Sequence, residues 1–424
     1  MSMSYLPATM DTLILASEND SPSEAISILY RVLANPSSSP EALNIKEQAI
    51  IDICYIFNDT DRAEDLRNLV TQLTPLFSLI SKAKTARIVR DIIDVIGDIT
   101  GTSELQISLC KELVQWTRAE NRTSLRYWVE ARLAALLIEE KDYSDALNLL
   151  AELIKEVGRM EDKLLLIEIN LLESKIYFCL RNLPMANVAL YAARITAQSI
   201  YVPIHQQGAI DLQSGILHAE EKDYCAAFHS FAVALTAFDL FEDPRAVICL
   251  KYLLLCVIMC DQSYLVQFAI SRYGECYDKE IEINAMKAVA YATHSKRCSI
   301  KLFKDALRDF RAQLQEDLLV HLQLSSLYNT LFEKNLYRLI EPFSRVEIVH
   351  VANLIELPVD LVESKLSQMI LDKKLTGNLD QGCLIIFDDP KIDGIYAATL
   401  ETIINIGKVV DSLYVRSTKK KIMP

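Results

Sequence analysis

The stretch Glu221-Lys-Asp-Tyr-Cys-Ala-Ala-Phe228 decides the fold, because a polar turn leads into an aromatic residue that is followed three positions later by a small one. Successive copies of this pattern begin 40, 41, 40 and 39 residues apart. A period of that length is typical of helix-hairpin arrays such as tetratricopeptide or HEAT-like repeats. The copies are Tyr143 with Ala146, Leu183 with Ala186, Tyr224 with Ala227, Tyr264 with Gln267 in the small position, and Phe303 with Ala306.

Close helix packing explains this repeat, since the small residue lets the second helix of a hairpin approach the first and the aromatic residue fills the corner. Residues 23–33 and 46–56 predict an earlier, less regular hairpin. We therefore predict a mostly α-helical chain whose residues 1–310 form a right-handed, TPR-like helical-repeat solenoid. The helix after Tyr143 carries its apolar residues at spacings of three and four, at Ala146, Leu149, Leu150, Leu153, Ile154 and Val157.

The pattern changes after about residue 316. Helices are predicted over residues 318–340, 346–355 and 358–375. Two strands follow, over residues 376–380 and 383–387, with a turn at Gln381 and Gly382 between them. Three helices and a β-hairpin are the layout of a winged helix, which we place at residues 311–390.

A last helix is predicted from residue 392 to about residue 417, within a segment of bundle helix and tail over residues 391–424. Its apolar side chains repeat at close to 3.5-residue spacing, as in a helix that packs against other helices. The chain's own solenoid is one candidate to cover this stripe, but we favour a helix bundle formed with other proteins. The stripe consists of Tyr396, Ile403, Ile406, Val410 and Leu413.

The second strand of the predicted wing offers another candidate contact. Leu384 and Ile386 alternate to one face of the strand, and we expect this face to meet a neighbouring protein. Ile385 and Phe387 are expected to serve the core of the winged helix.

The charge of the chain argues against phosphate-rich partners. Its formal net charge is -13, from 44 basic and 57 acidic residues, whereas binding to nucleic acid or to an anionic membrane needs clustered Lys and Arg. A terminal run of three lysines, at residues 419–421, is typical of a solvated tail. The third helix of the winged helix, which often reads DNA, has charges that cancel: Asp360, Glu363 and Asp372 against Lys365, Lys373 and Lys374.

Cysteine usage and hydropathy indicate a cytoplasmic or nuclear protein. The ten cysteines are scattered, and several lie within apolar helical stretches, as reduced thiols do. The longest apolar run, over residues 252–260, is too short to span a bilayer. The amino terminus lacks the basic leader of a signal peptide.

Motifs of known enzymes are missing from the sequence. The only Gly-Lys pair, at Gly407, is preceded by Thr402 where a phosphate-binding loop needs its first glycine. No His-x-His pair, His-Glu-x-x-His motif or Gly-x-Ser-x-Gly elbow occurs. We therefore expect no catalytic residues, no cofactor and no enzyme activity.

The nearest approach to a metal-ligand set is His218, Cys225 and His229. A predicted turn separates the first of these from the other two, and no Cys-x-x-Cys pair occurs. Ordinary packed or solvated side chains are the better interpretation, so no metal site is predicted.

A helical solenoid that leads into a winged helix resembles the PCI-domain family, which is shared by the proteasome lid, the COP9 signalosome and eukaryotic initiation factor three. Specific stretches are most similar to the lid subunits of the 26S proteasome regulatory particle, and they cover essentially the whole chain. These stretches are Lys46-Glu-Gln48, Ser81-Lys-Ala-Lys84, Leu171-Leu-Glu-Ser-Lys-Ile-Tyr177, Ser214-Gly-Ile-Leu-His218, Glu221-Lys-Asp-Tyr224, Ile340-Glu-Pro-Phe-Ser-Arg-Val346, Lys365-Leu-Ser-Gln-Met-Ile-Leu-Asp-Lys-Lys374, Leu379-Asp-Gln-Gly382 and Lys408-Val-Val-Asp-Ser-Leu-Tyr414.

The resemblance implies a scaffold of the 19S regulatory particle lid that acts in ubiquitin-dependent protein degradation. Its implied partners are other PCI lid subunits, the proteasomal ATPase ring, the α-ring of the 20S core and the lid deubiquitinase subunit. The resemblance implies that the carboxy-terminal helix joins a bundle with its neighbours. One departure is that Gly382 runs directly into Cys383, where the family has a longer wing turn.

We therefore predict a non-catalytic protein-protein scaffold. One alternative is a PCI scaffold of the COP9 signalosome, which the absence of proteasomal ATPases among co-purified proteins would favour. Another is a nucleic-acid binder that uses the winged helix, which would show a steep salt dependence of binding. An enzyme is the third alternative, and turnover by the isolated chain would support it.

Overall fold

The computed structural model describes residues 6–19, 21–37, 39–60, 62–77, 80–99, 101–159, 162–273, 275–277, 279–293, 300–315, 317–355, 357–387 and 394–420. The mostly α-helical architecture predicted from the sequence is confirmed. None of the described helices combines the length and the apolar character needed to cross a bilayer.

The described residues form twenty-one α-helices, two short 3-10 helices and three strands. The first twelve helices are α1 Met10–Ser17, α2 Pro22–Leu33, α3 Pro40–Asp59, α4 Ala63–Phe77, α5 Lys82–Asp98, α6 Ser103–Ala119, α7 Thr123–Glu139, α8 Tyr143–Val157, α9 Lys163–Cys179, α10 Leu183–Gln198, α11 Ile204–Glu220 and α12 Tyr224–Asp239.

The remaining helices begin with α13 Arg245–Met259, α14 Val266–Tyr273, α15 Ile281–Thr293, α16 Ile300–Asp309, α17 Arg311–Gln315 and α18 Leu318–Ile340. They end with α19 Ile348–Ile355, α20 Val359–Leu371 and α21 Gly394–Lys420. The 3-10 helices are Ser263–Leu265 and Glu275–Tyr277, and the strands are β1 Arg345–Glu347, β2 Gly377–Asp380 and β3 Cys383–Ile386.

The chain divides into two compact units. The first comprises Met1–Cys256 and Ala269–Tyr277, and the second comprises Val257–Phe268 and Asp278–Pro424. In the first unit a continuous apolar core extends from Leu13 in α1 to Ile176 in α9. A core that passes from helix to helix in this way is what a stacked array of hairpins requires.

The hairpins α7–α8, α9–α10 and α11–α12 share one kind of turn. Lys141, Arg181 and Lys222 adopt the left-handed conformation, with φ of 68°, 62° and 66°. The amide of the next residue then donates to a carbonyl five residues earlier, at 2.9–3.0 Å, which ends the first helix in a Schellman motif. The side chains of Asn182 and Asp223 begin the second helix by accepting a hydrogen bond from an amide three residues on. Polar residues occur at this turn in the sequence because they both end the first helix and begin the second.

Small residues on both helices bring the hairpins together. Ser174 Oγ donates to the carbonyl oxygen of Ala186 at 2.9 Å, a contact between α9 and α10 that a larger residue would block. A Cβ atom added to Gly215 would lie 2.6 Å from the ring of Phe231, so α11 and α12 are in direct contact. The buried small residues are Ala146, Ala186 and Ala227 in the second helices and Ala134, Ser174 and Gly215 in the first helices.

The copy of the repeat at Tyr264 does not pack as predicted. Tyr264 lies in a 3-10 helix and is 65% exposed, and Gln267 is exposed as well. The position that is small and buried in the other copies is thus occupied here by an exposed glutamine. Phe303 and Ala306 in α16 are buried, as predicted.

A winged helix lies in the second unit, as predicted. Its sheet has the order β1-β3-β2 with antiparallel pairing throughout, so β3 is the central strand. Helices α18, α19 and α20 cover the sheet, and their shared core includes Leu336, Val351, Leu366 and Leu384.

The prediction of a helix that begins at residue 346 is wrong, because residues 345–347 form β1. Val346 pairs with Leu384 of β3, and the amide of Ile386 donates to the Ser344 carbonyl at 2.9 Å. A short apolar run fits a helix or a strand equally well, and only its distant partner decides. The predicted third helix ends earlier than expected, at Leu371, before Lys373 turns to a φ of 57°.

The wing is a tight hairpin between β2 and β3. Gln381 and Gly382 both have positive φ, 44° and 80°, as the two central residues of a type I′ turn do. The short turn agrees with the sequence, in which Gly382 is followed at once by the strand residue Cys383.

Candidate partner-binding surfaces

Helix α21 exposes its apolar side chains. Every residue from 399 to 414 is exposed, although the helix is amphipathic. Ile403, Ile406, Val410 and Leu413, which the sequence singled out, are 63%, 57%, 57% and 56% exposed. Tyr396 lies in the same helix, but its side chain is outside the described residues. The role of these five residues in partner binding stays a prediction.

The apolar surface of α21 is wider than the predicted seam. Leu400, Ile404, Val409 and Tyr414 are 47%, 55%, 57% and 69% exposed. At about 100° per residue, the eight exposed apolar side chains are spread over about 220° of the helix circumference, a sector that also contains Thr399, Thr402, Gly407 and Asp411. The 3.5-residue spacing of the predicted stripe selects one seam only, and these four residues fall outside it.

The opposite side of α21 is polar. It carries Glu401, Asn405, Lys408 and Ser412, which fall within a sector of about 60° at 3.6 residues per turn. An apolar surface this wide is more than one helix can cover, because the seam of a two-stranded coiled coil is narrower. The surface is therefore suited to burial between two or more helices.

The prediction that Leu384 faces a neighbouring protein is wrong. Its side chain is 0% exposed and lies in the core of the winged helix. Ile386 points to the same face, as predicted, and packs half-buried against the same core. Because β3 is the central strand, its backbone is also paired on both sides and offers no free edge. This face holds the module together.

The expectation for the other face of β3 needs correction as well. Phe387 was expected in the core but is 53% exposed. Its amide donates to the carbonyl of Thr376 at 2.9 Å, so its position is fixed at the end of the hairpin. Ile385 is half-buried. Alternation along a strand shows which residues share a face, but not which face meets the core.

A charge cluster joins α18 to α20 beside the wing. Lys365 Nζ lies 2.9 Å from Glu333 Oε1, and Lys374 Nζ lies 2.6 Å from Glu333 Oε2. Burial by itself raises the pKa of Glu333, but hydrogen bonds from Lys374 and Lys365 outweigh it and lower the pKa below the usual value. The hydrogen bond that Lys374 donates to Glu333 raises the pKa of Lys374. Lys365 in α20 and Lys374 just after it are thus paired with an acidic residue of the same chain.

Two observations concern metal binding and thiol chemistry in the part of the chain that the structure describes. No group of three or more His, Cys, Asp or Glu side chains there could hold a metal ion. Burial raises the pKa of the Cys54, Cys110 and Cys249 thiols to about 12. A thiol with such a pKa is not ionised at neutral pH and is a poor nucleophile.

Three family models match successive parts of the chain. Residues 13–140 match the 26S proteasome regulatory subunit RPN6 N-terminal domain. Residues 307–388 match the PCI domain, which includes the winged helix described above. Residues 393–418 match the 26S proteasome subunit RPN6 C-terminal helix domain and include the exposed surface of α21.

Curated relatives match over nearly the full length. The chain is 63% identical to a 26S proteasome non-ATPase regulatory subunit 11 homolog of Arabidopsis thaliana, over 97% of this chain and 98% of the relative. It is 43% identical to 26S proteasome non-ATPase regulatory subunit 11 of Dictyostelium discoideum, over 92% and 94%. For the 26S proteasome regulatory subunit RPN6 of Saccharomyces cerevisiae the identity is 35%, over 91% and 90%. The chain therefore belongs to the family of 26S proteasome non-ATPase regulatory subunit 11.

Proposed function

We propose that this chain is a non-catalytic scaffold subunit in the lid of the 26S proteasome regulatory particle. The exposed apolar surface of α21 carries the proposal, because a helix with this surface needs other helices to cover it. The names of the relatives support the proteasome as the assembly in which those helices are found.

The partners proposed for the chain follow from the family. They are other PCI lid subunits, the ATPase ring, the α-ring of the 20S core and the lid deubiquitinase subunit. In this arrangement the chain stabilises contacts between lid, ATPase ring and core particle during ubiquitin-dependent degradation. The wide surface of α21 fits a place inside a multi-helix bundle with other lid subunits.

The proposed work of the chain is contact alone, without enzyme activity, cofactor, nucleic acid or membrane. The excess of acidic residues supports this view, as does the pairing of Lys365 and Lys374 with Glu333. We place the protein in the cytoplasm and nucleus. We also propose the division into a solenoid at residues 1–310, a winged helix at 311–390 and a bundle helix with tail at 391–424.

The COP9 signalosome is the rival assembly, since it also contains PCI subunits. The names of the relatives and the RPN6 family models favour the proteasome. No observation in this chain favours the signalosome specifically.

A tagged copy of the full chain, purified from cells that produce it and analysed by mass spectrometry, tests the proposal. We expect lid subunits, proteasomal ATPases and core subunits to co-elute in near-equal amounts. Co-elution with signalosome subunits in place of ATPases would contradict the proposal. A nuclease-treated sample serves as the control, because a partner bound through nucleic acid would be lost from it.

A further inference from the structure

Helix α10 carries an apolar stripe on its solvent side. Met185, Val188, Tyr191 and Ile195 are 42%, 61%, 66% and 50% exposed. Their spacing of three, three and four residues places them on one face of the helix over about three turns. Large apolar side chains that are contiguous and exposed mark a contact surface more often than single ones do.

The neighbouring repeats show that the fold does not require this stripe. Ala146 and Ala186 are equivalent buried positions of α8 and α10, and the same frame identifies the residues that correspond to the stripe. In α8 they are Asp145, Asn148, Ala151 and Lys155, all exposed. In α12 they are Ala226, His229, Ala232 and Thr236. Small or polar residues therefore suffice at these positions, and the apolar residues of α10 need another explanation.

A groove between α10 and α11 adjoins the middle of the stripe. Val188 and Tyr191 line it from α10, and Leu217 and His218 line it from α11, with a volume of about 390 Å³. The groove is bounded by two helices of the same unit and offers no free strand edge, so it suits a helix that lies between two others.

The two ends of the groove differ in charge. At one end Glu221 accepts a hydrogen bond from Asn187 Nδ2 at 2.7 Å, and its side chain remains 45% exposed. The nearby Glu220 is paired with Arg181 at 2.6 Å. At the other end Arg194 donates to Ser214 Oγ at 2.6 Å and interacts with Asp211, which leaves that end near neutral. His218 also lies near Glu221, with Nδ1 3.9 Å from Glu221 Oε2. Because Glu221 stays partly exposed and the Arg194 end is balanced, a cation is favoured at the Glu221 end.

We propose that the groove between α10 and α11 receives an amphipathic helix of another subunit. That helix has apolar residues at positions i, i+3 or i+4, and i+7, and a Lys or Arg at the end that meets Glu221. The inference rests on the proposed function, because the partner is a protein of the same assembly. It extends that function to a second contact, separate from α21.

Site-specific photo-crosslinking in the assembled particle tests this contact. One version of the full chain carries benzoylphenylalanine in place of Val188, and a matched control carries it in place of Asn148, the equivalent residue of α8. Co-elution with the regulatory particle is checked first. After irradiation, mass spectrometry identifies the peptide attached to each position.

We expect residue 188 to crosslink to an amphipathic, basic-ended helix of another subunit, and residue 148 to give no such product. Adding Glu221→Lys should lower the yield from residue 188 about threefold to tenfold. Assembly without a crosslink from residue 188 would overturn the inference and leave the proposed function intact. A crosslink to a second copy of the chain, to an extended segment or to an acidic helix would overturn it too. Failure to co-elute would instead contradict the proposed function, and this occupant with it.

Discussion

The facing sides of the hairpin helices α9–α12 and the closing helix α21 use the same residue types at similar periods, yet they differ in where the apolar side chains end up. In the hairpins Phe231 and Ala227 are 0% exposed, because a helix of the same chain covers them. In α21, Ile403 and Val410 are more than half exposed. The comparison teaches that periodicity predicts an apolar face, whereas only the folded chain shows whether that face is already covered.

Truncation of one apolar side chain in each region should give the largest difference in the free energy of unfolding. Phe231→Ala removes a fully buried ring and should lower the free energy of unfolding by about 3–5 kcal/mol. Val410→Ala, on the exposed face of α21, should change it by about 0.5 kcal/mol or less in the free chain. Urea unfolding followed by circular dichroism measures both. A similar cost for both variants would contradict the comparison.

The end of strand β3 offers the same contrast between a buried and an exposed apolar side chain. Leu384→Ala should destabilise the winged helix by about 2–4 kcal/mol, since this side chain is fully buried. Phe387→Ala, at a site that is 53% exposed, should cost much less. Hydrogen exchange of the amides of β3 would report the difference. Equal protection in the two variants would contradict the assignment of this face as core.

Substitution of one glycine in α11 and one in α21 extends the comparison between the hairpins and the closing helix. At Gly215 a new Cβ would lie 2.6 Å from the Phe231 ring, so Gly215→Ala should destabilise the first unit by about 1–3 kcal/mol. At Gly407 no atom lies within 4 Å of the new Cβ. Gly407→Ala should therefore stabilise the isolated helix by about 0.5–1 kcal/mol. Thermal unfolding of the free chain, followed by its helicity, measures both changes in stability. Two changes in the same direction would contradict the comparison.

Acid should weaken the winged helix slightly through Glu333. Its pKa is lowered in the folded chain, so the stabilisation is present above the unfolded pKa and is lost as pH falls through the folded value. The contribution is about 1 kcal/mol or less, because solvent screens a cluster near the surface. Glu333→Gln should remove this dependence, so the pH profiles of unfolding for the two proteins should converge once the pH falls below the lowered pKa of Glu333. Parallel profiles throughout would argue against a role for the cluster.

Much of the fold followed from local signals in the sequence. The polar turn before Tyr224 both ends one helix and begins the next, and the alanine three residues later allows close packing, so the hairpins were predictable. A further signal was present but missed: Ala134, Ser174 and Gly215 repeat the same period in the first helices. Gln267 likewise departs from the small residue of the pattern, and its copy is the one in which the aromatic residue, Tyr264, is exposed.

Strand β1 and the burial of Leu384 escaped prediction because both depend on distant contacts. Strand β1 exists because Val346 pairs with Leu384, 38 residues away, and no local pattern encodes that pairing. The burial of Leu384 depends on how α18, α19 and α20 are placed over the sheet. The full width of the apolar surface of α21 could have been read from a 3.6-residue wheel, but not from a single seam.

The central claim is that the exposed apolar surface of α21 holds the chain in its assembly. The direct measurement compares two triple variants of the full chain on native gels after reconstitution with the other lid subunits. Both lower the net charge by three: Ile403→Asp, Ile406→Asp and Val410→Asp on the apolar surface, and Asn405→Asp, Lys408→Asn and Ser412→Asp on the polar side. We expect the first to migrate as free chain with an unchanged far-ultraviolet spectrum, and the second to enter the lid like the unmodified protein. Normal incorporation of the first variant, or equal loss of both, would contradict the account.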